Sequence, residues 1–331
     1  MGAVGAALGT VAGGLLTEAF GRRSIFLINL PVGAAALLFV GRLLPADERG
    51  RDRAAGRLDL PGAVLGTSGL LLLGYAIGAF AAPATLIPTL VALSVALVLL
   101  AAFVAVQARS TAPLMPLRLL GVRQVSGSAV ASALVGAVHV PTFVLLTLYL
   151  QNTQDYSPVR SGLAVLPVAL AAPVASRTAL PVLAERFGAH SLLWAGLALQ
   201  AAALAWFATV PATVHYATDI LPAALLLGVG LPASFIGVTA PAVTAVDQAD
   251  TGVTAGIVNT AQRIGSGLGV AALLLANYVT GTTGHLAGLR TAFAAATGLA
   301  LLGCLLALLL LRPKSPVSAS VRPAPAVPVR R

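Results

Sequence analysis

The chain opens with MGAVGAALGTVAGGLLTEAFGRRSIFLINLPVG (residues 1–33), in which Gly2, Gly5, Gly9 and Gly13 stand three or four residues apart. In a water-exposed helix each glycine costs about 1 kcal/mol relative to alanine. In lipid the balance differs, because transmembrane helices associate where small residues let two backbones approach closely. The stretch therefore indicates a membrane helix with one contact face, and the spacing alone is also typical of ordinary close packing.

Composition extends this conclusion to the whole chain. Of 331 residues, 58% are hydrophobic and 9% are charged, whereas a soluble domain carries about 25% charged residues. About 20 apolar residues in a helix cross a bilayer core of about 30 Å. Barrel strands would alternate in polarity, and the stretches here are apolar all round. We predict an all-α, polytopic membrane protein with about ten transmembrane helices, at 2–19, 24–44, 60–80, 86–107, 125–149, 160–181, 190–209, 219–243, 254–277 and 291–311.

The distribution of basic residues predicts the orientation. The formal charge of +10 would suit nucleic acid, but cytoplasmic loops of membrane proteins also collect Lys and Arg. With ten alternating helices, fifteen of the 20 Lys and Arg residues fall on the side of the 45–59 loop and the C-terminus, four fall on the other side, and Arg263 lies within a span. We therefore expect a multi-pass protein of the cell membrane with a cytoplasmic C-terminus and no nucleic-acid partner.

The opening stretch as a whole resembles the antiporter motif of the major facilitator superfamily, in its fourteen-helix drug:proton antiporter branch. The residues that fit are Gly5, Gly9, Gly13, Gly14, Arg23, Ile25, Phe26, Ile28, Asn29 and Pro31. Thr10 stands where the family has proline, and Arg22 stands near the usual tryptophan. The resemblance continues through RLDLPGAVLG (57–66), APLMPLRLL (112–120), YLQNTQDYSPVRSGLAVLP (149–167) and AGIVNTAQRIGSGLGVA (255–271).

The resemblance implies a function. Members of this branch are secondary active transporters that export drugs or other amphipathic small molecules by alternating access, coupled to inward proton flow. The implied partners are a small-molecule substrate, protons and the lipid bilayer, with no cofactor and no metal. A membrane enzyme is disfavoured, because the sequence has no two-His helix motif, no catalytic triad and a single cysteine, Cys304.

The resemblance also implies a domain organisation. The antiporter motif lies on the family's fifth helix, so we expect helices five to fourteen here and the first four to be missing, or supplied by a second chain. The alternative function is then a truncated, non-transporting remnant or fragment. The implied domains are the last two helices of the N-terminal bundle (1–44), a cytoplasmic loop (45–59), an extra helix pair and linker (60–124), a C-terminal six-helix bundle (125–311) and a disordered basic cytoplasmic tail (312–331).

A stripe of small and polar residues marks the predicted helix 254–277. Its members, at three- or four-residue spacing, are Gly252, Gly256, Asn259, Arg263 and Gly267. A charge inside a membrane is costly and normally faces a cavity or a partner. Arg263 could hold a substrate carboxylate, depress the pKa of a nearby acid or bond to exposed carbonyls, and we place it with Asn259 in the substrate and proton pathway. The alternative is that the side chain reaches the cytoplasmic interface.

His139 completes the predicted substrate and proton pathway. It lies midway along the predicted helix 125–149, and histidine titrates near pH 6.5, within reach of a proton gradient. The alternative is a neutral, buried histidine bonded to a carbonyl oxygen.

A second short motif predicts a cytoplasmic latch. LPVLAERFGAH (180–190) resembles a degenerate copy of the superfamily's Leu-Ala-Asp-Arg-x-Gly-Arg-Arg loop. Glu185 replaces the aspartate, and Arg186 and Gly188 are kept. An acid here can bind a helix N-terminus or an arginine in one conformational state only. The alternative is a solvated charge in a turn.

Overall fold

The apolar stretches fold as helices in the computed structural model. It describes residues 9, 13, 15–21, 27, 29–43, 59–79, 86–110, 113, 116–280 and 284–310. These residues include no strand, and the predicted all-α, polytopic membrane fold is confirmed. The predicted 45–59 loop, apart from Asp59, and the 312–331 tail lie outside the described residues.

The helices are labelled in chain order. They are α1 (Asn29–Leu43), α2 (Leu60–Ala79), α3 (Leu86–Arg109), α4 (Leu117–Leu120), α5 (Arg123–Asn152), α6 (Pro158–Arg177), α7 (Ala179–Phe187), α8 (Ala189–Ala208), α9 (Leu221–Thr244), α10 (Thr251–Thr280) and α11 (His285–Leu310). A π-helical turn, Tyr216–Ile220, leads into α9, and a 3₁₀ turn, Gln248–Asp250, leads into α10.

Seven helices of the described chain are long and apolar enough to cross a membrane: α2, α3, α5, α6, α8, α9 with its π-helical turn, and α11. Three of the ten predicted spans do not meet both criteria. Two of these, 2–19 and 24–44, lie partly outside the described residues. The third, 254–277, is α10, which at 30 residues is about 45 Å long. Its length suffices, and its glycine-rich, polar face lowers its hydropathy.

The long helices from α5 to α11 run in alternating directions, so charged residues collect at the two ends of the bundle. At the end where α5 begins lie Arg118, Arg123, Arg177, Glu185, Arg186, Asp247 and Asp250. At the opposite end lie Asp155, Arg160, Asp219 and Arg290. Apart from Arg263 on α10, the charged residues of this bundle within the described residues therefore lie at its two ends.

Helices α2 and α3 form an antiparallel pair that is joined at one end by a polar contact. The Asp59 carboxylate accepts a hydrogen bond from the backbone N–H of Gly62 at 2.9 Å, which caps the first turn of α2. The Gln107 side-chain amide, at the end of α3, donates to the same carboxylate at 2.5 Å. The start of α2 is thereby fastened to the end of α3, and α2 in turn packs on α10.

Close approach of backbones joins α5 to α10. A methyl group added at Gly265 would collide with the backbone of Ala133, and one added at Gly136 would meet the carbonyl oxygen of Gln262. The Ser132 hydroxyl donates to the carbonyl oxygen of Val258 at 2.9 Å across the same contact. Since lipid is as apolar as leucine, such packing and interhelical hydrogen bonds stabilise the pair.

Proline inside α5 contributes to this contact. Pro141 has no N–H to donate to the Ala137 carbonyl one turn earlier. That carbonyl oxygen lies against Gly269 of α10, where an added methyl group would strike it. A glycine is therefore required at 269 for α10 to approach the interrupted turn of α5.

Aromatic residues fill the core near the end of the bundle where α5 ends. Tyr149, Phe207 and Phe293 are fully buried, and the rings of the two phenylalanines lie 5.5 Å apart between centroids. The Tyr149 hydroxyl donates to the Pro211 carbonyl oxygen at 2.9 Å. Arg290 donates twice to the Val210 carbonyl oxygen, at 2.9 and 2.6 Å. These bonds fix the connection between α8 and α9 over the core.

Candidate functional site

A cavity of about 590 Å³ opens among α5, α6, α9 and α10. Most of its wall is apolar, supplied by valine, alanine, phenylalanine, leucine, isoleucine and proline side chains. Its polar lining consists of Ser176, His139, Gln262, Arg263 and Ser266. An apolar cavity with a few convergent polar groups is the usual form of a small-molecule site.

Arg263 lines this cavity from α10. It is the thirteenth residue of α10, so it lies about 18 Å along the axis from the start of a helix about 45 Å long. Its backbone therefore lies in the first half of α10, and its side chain lines the cavity. The alternative prediction, a side chain that reaches the cytoplasmic interface, stays a prediction.

The guanidinium of Arg263 has no counter-ion in the described chain. It makes no hydrogen bond or ion pair to any described residue. The acids within 116–280 all stand at helix ends or in turns: Asp155, Glu185, Asp219, Asp247 and Asp250. Asp250 is already engaged, accepting two hydrogen bonds from Arg118 at 2.7 and 3.0 Å. A positive charge thus faces the cavity without a counter-charge from the described residues.

His139 lines the same cavity from α5. Its ring lies 5.6 Å from the ring of Phe143 and 5.9 Å from that of Phe235, in an edge-on arrangement with the latter. The Nδ1 atom is buried and has no hydrogen-bond partner among the described residues. No hydrogen bond from Nδ1 to a carbonyl oxygen is thus formed within the described residues, and the ring packs between two aromatic side chains.

Asn259 lies one turn before Arg263 and lines a neighbouring cavity of about 330 Å³. Phe235 and Gln262 belong to the walls of both cavities. The predicted pathway residues are therefore brought together along one side of α10, with His139 and Arg263 in one cavity and Asn259 in the next.

The predicted stripe on α10 is a real face of the helix. Gly252, Gly256, Asn259, Arg263 and Gly267 are all exposed in the described structure. A methyl group at any of the three glycines would meet nothing within 4 Å. The packing role belongs instead to the opposite face, where Gly265 and Gly269 contact α5, and the stripe of small residues did not predict this.

The remaining predicted site residues lie away from the cavity. Gly188 has a φ of +80° and joins α7 to α8, a conformation that favours glycine. Glu185 and Arg186 are exposed and form no ion pair with any described residue. Of the antiporter-motif glycines, Gly9 and Gly13 have no atom within 4 Å of an added methyl group. Gly5 and Gly14 lie outside the described residues.

Several cavity residues were not predicted from the sequence. Phe143 and Phe235 supply the aromatic wall, and Gln262 is 94% buried beside Arg263. Pro232, which lies one turn before Phe235 on α9 and lines the same cavity, differs from these residues in being indicated by the sequence. A proline inside a membrane helix was the available signal, because it frees a backbone carbonyl and is tolerated where the helix lines a cavity.

A helical membrane bundle of this kind, enclosing a mid-depth cavity, is an architecture of membrane transport proteins. Residues 1–270 match the family model of the Major Facilitator Superfamily. The chain belongs to that superfamily, and the resemblance noted in the sequence is confirmed.

Relatives of the chain carry names of export and resistance proteins. It is 37% identical to the puromycin resistance protein of Streptomyces alboniger, over 97% of this chain and 67% of that protein. It is 34% identical to a cephamycin export protein of Amycolatopsis lactamdurans, over 97% and 66%, and 34% identical to the lincomycin resistance protein of Streptomyces lincolnensis, over 95% and 63%. The chain thus spans about two thirds of the length of these curated relatives.

Proposed function

We propose that the protein is a secondary active transporter that exports drugs or other amphipathic small molecules by alternating access, coupled to inward proton movement. Membership of the Major Facilitator Superfamily and relatives named for antibiotic export and resistance support this function. No finding favours the alternative of a non-transporting remnant. We place the protein in the cell membrane with a cytoplasmic C-terminus and expect no enzymatic activity.

The observation that carries the proposal is the cavity among α5, α6, α9 and α10. Its volume of about 590 Å³ suits a drug-sized molecule, and its wall is mostly apolar. Two ionisable groups, His139 and Arg263, line it at mid-depth in the bundle. Intramembrane ionisable residues normally mark a substrate, ion or proton pathway.

We assign roles to the predicted residues on this basis. Arg263 and Asn259 contact substrate, and His139 carries or senses the proton. Gly5, Gly9, Gly13 and Gly14 form a packing face between helices, and Glu185, Arg186 and Gly188 form a cytoplasmic latch. The domain organisation proposed from the sequence, with a six-helix bundle at 125–311, is consistent with the packing of α5, α6 and α8 to α11 on one another.

Proton flux in reconstituted vesicles tests the function. The purified chain is placed in liposomes with a trapped pH-sensitive dye and an imposed proton gradient, and puromycin, lincomycin and a cephamycin are added in turn. We expect at least one compound to drive proton movement above the rate in protein-free vesicles. If none of the three compounds drives proton movement, although the chain retains its helical circular dichroism, proton-coupled export of these compounds by this chain is contradicted.

A further inference from the structure

The charge of the side chains that line the cavity indicates which ligand charge the cavity favours. Arg263 is the single permanently charged side chain that lines it among the described residues. The described acids of 116–280 stand at helix ends and in turns, and none of them lines the cavity. An arginine stays protonated, so the cavity presents a positive charge that no described acid balances, in mostly apolar surroundings.

We propose that this cavity binds amphipathic organic anions, with a carboxylate or similar anionic group held by Arg263 and the apolar body held by the aromatic wall. The inference deepens the proposed function by naming the substrate class of the same site. A carboxylate offers Arg263 a bidentate, charge-assisted contact that a neutral or cationic molecule lacks.

Neighbouring polar groups favour the same class. Gln262 is 94% buried, lies next to Arg263 and has no side-chain hydrogen bond to a described residue, so its amide N–H groups are available as donors to an oxyanion. The buried Nδ1 of His139 also lacks a partner in the described chain. The cavity therefore places the Gln262 amide beside one cation, and no carboxylate among the described residues lines it.

The aromatic rings raise the opposite possibility, a lipophilic cation. Phe143 and Phe235 face the cavity beside His139, and aromatic faces attract cations. A full positive charge at Arg263 in the same cavity repels such a ligand, and repulsion between two full charges at similar distance is stronger than the attraction of a cation to a ring quadrupole. The rings therefore serve the apolar body of the ligand.

A matched series of probes tests the class. Pyrenebutyrate, pyrenebutanol and pyrenylbutyl-trimethylammonium share one apolar body and differ in charge. Each is titrated into the chain in phosphatidylcholine nanodiscs without a gradient, with empty nanodiscs subtracted. Saturable quenching of the two tryptophans, Trp194 and Trp206 on α8, reports binding. We expect the carboxylate to bind at least tenfold more tightly than the alcohol, and the ammonium more weakly than the alcohol.

Substitutions test whether the preference for the carboxylate depends on Arg263. Arg263→Gln should weaken carboxylate binding about tenfold and leave alcohol binding within twofold. Arg263→Lys should keep the preference for carboxylate with lower affinity, since lysine retains the charge without the planar fork. Arg123→Gln removes the same charge from the start of α5, outside the cavity, and should change none of the three affinities.

Three results would overturn the inference: no saturable binding of any probe, equal or tighter binding of the alcohol or ammonium by the unaltered chain, or a carboxylate preference that survives in Arg263→Gln. The first two need no variant, so a variant that fails to fold leaves the test intact. Arg263-dependent carboxylate binding without drug-driven proton flux would keep this inference and contradict transport. Drug-driven proton flux together with tighter binding of the cationic probe would support transport and contradict this inference.

Discussion

Among single residues, the two ionisable side chains of the cavity differ in the kind of charge that they carry. Arg263 presents a permanent charge about 18 Å along α10, whereas His139 presents a group that titrates near neutral pH when unperturbed. The two line one cavity without an acid among the described residues beside them. Because a permanent cation and a titratable group are both present, substrate binding and proton coupling are separable by substitution.

His139→Gln tests the coupling role. Glutamine is neutral, similar in size and cannot carry the proton, so a proton pathway through His139 predicts that drug binding persists while drug-driven proton flux falls at least tenfold. Binding is measured in nanodiscs and flux in proteoliposomes at matched protein density. If flux stays near the unaltered rate, His139 is a packing residue, held by its contacts with Phe143 and Phe235.

At the scale of the elements, the opposite faces of α10 have different tasks. One face packs through Gly265 and Gly269 against the α5 backbone. The other face, with Gly267 and Arg263, is exposed, and Arg263 lines the cavity. The glycine contacts with α5 therefore fix the position of the helix that carries the polar face.

Gly265→Ala tests this division of α10, with Gly267→Ala as the matched control. The added methyl at 265 collides with the Ala133 backbone, and overpacking of this kind costs about 1–3 kcal/mol. At 267 the methyl meets no atom within 4 Å, and alanine in place of glycine stabilises a helix by about 0.4–1 kcal/mol. Thermal unfolding followed by circular dichroism should therefore show a lower midpoint for Gly265→Ala only. Equal midpoints for the two variants would show that α5 and α10 do not depend on this contact.

The helices themselves were predictable from the sequence, and their faces were less so. Long apolar stretches gave the correct positions of α2, α3, α5, α6, α8, α9 and α11, because each can satisfy its backbone hydrogen bonds within itself. The stripe through Gly252, Gly256 and Gly267 predicted a distinct small and polar face on α10. Glycine at such spacing, however, occurs both on faces that pack against another helix and on faces that do not. Which face contacts α5 depends on how α10 is rotated, and only tertiary packing fixes that.

The residues of the candidate site were also only partly predictable from the sequence. A charge within an apolar stretch pointed to Arg263, since its cost in lipid demands an explanation. Phe143 and Phe235 could not be singled out, because phenylalanine is common on lipid-facing and buried positions of membrane helices. The pairing of Arg118 with Asp250, 132 residues apart, also has no local signal.

At the scale of the whole molecule, the alternating helices and the distribution of charge define an orientation. Arg118, Arg123, Arg177 and Arg186 lie at the end of the bundle where α5 begins, and Arg160 and Arg290 lie at the other. Cytoplasmic loops are enriched in Lys and Arg. We therefore propose that the end containing the start of α5 faces the cytoplasm.

Cysteine labelling tests the orientation. In a Cys304→Ser chain, Gly50→Cys and Ser320→Cys should resist a membrane-impermeant maleimide added to intact cells and react after permeabilisation. Thr213→Cys, in the exposed connection between α8 and α9, should react in intact cells. Labelling of positions 50 and 320 in intact cells, with position 213 protected, would reverse the proposed topology.

We propose that proton-coupled export takes place through the cavity around Arg263. The decisive measurement is drug-driven proton flux in proteoliposomes, compared between the unaltered chain and Arg263→Ala at matched helicity and protein density. We expect Arg263→Ala to abolish the flux, Arg263→Lys to recover part of it, and Arg123→Gln to match the unaltered chain. Normal drug-stimulated flux in Arg263→Ala would contradict the claim and remove Arg263 from the transport site.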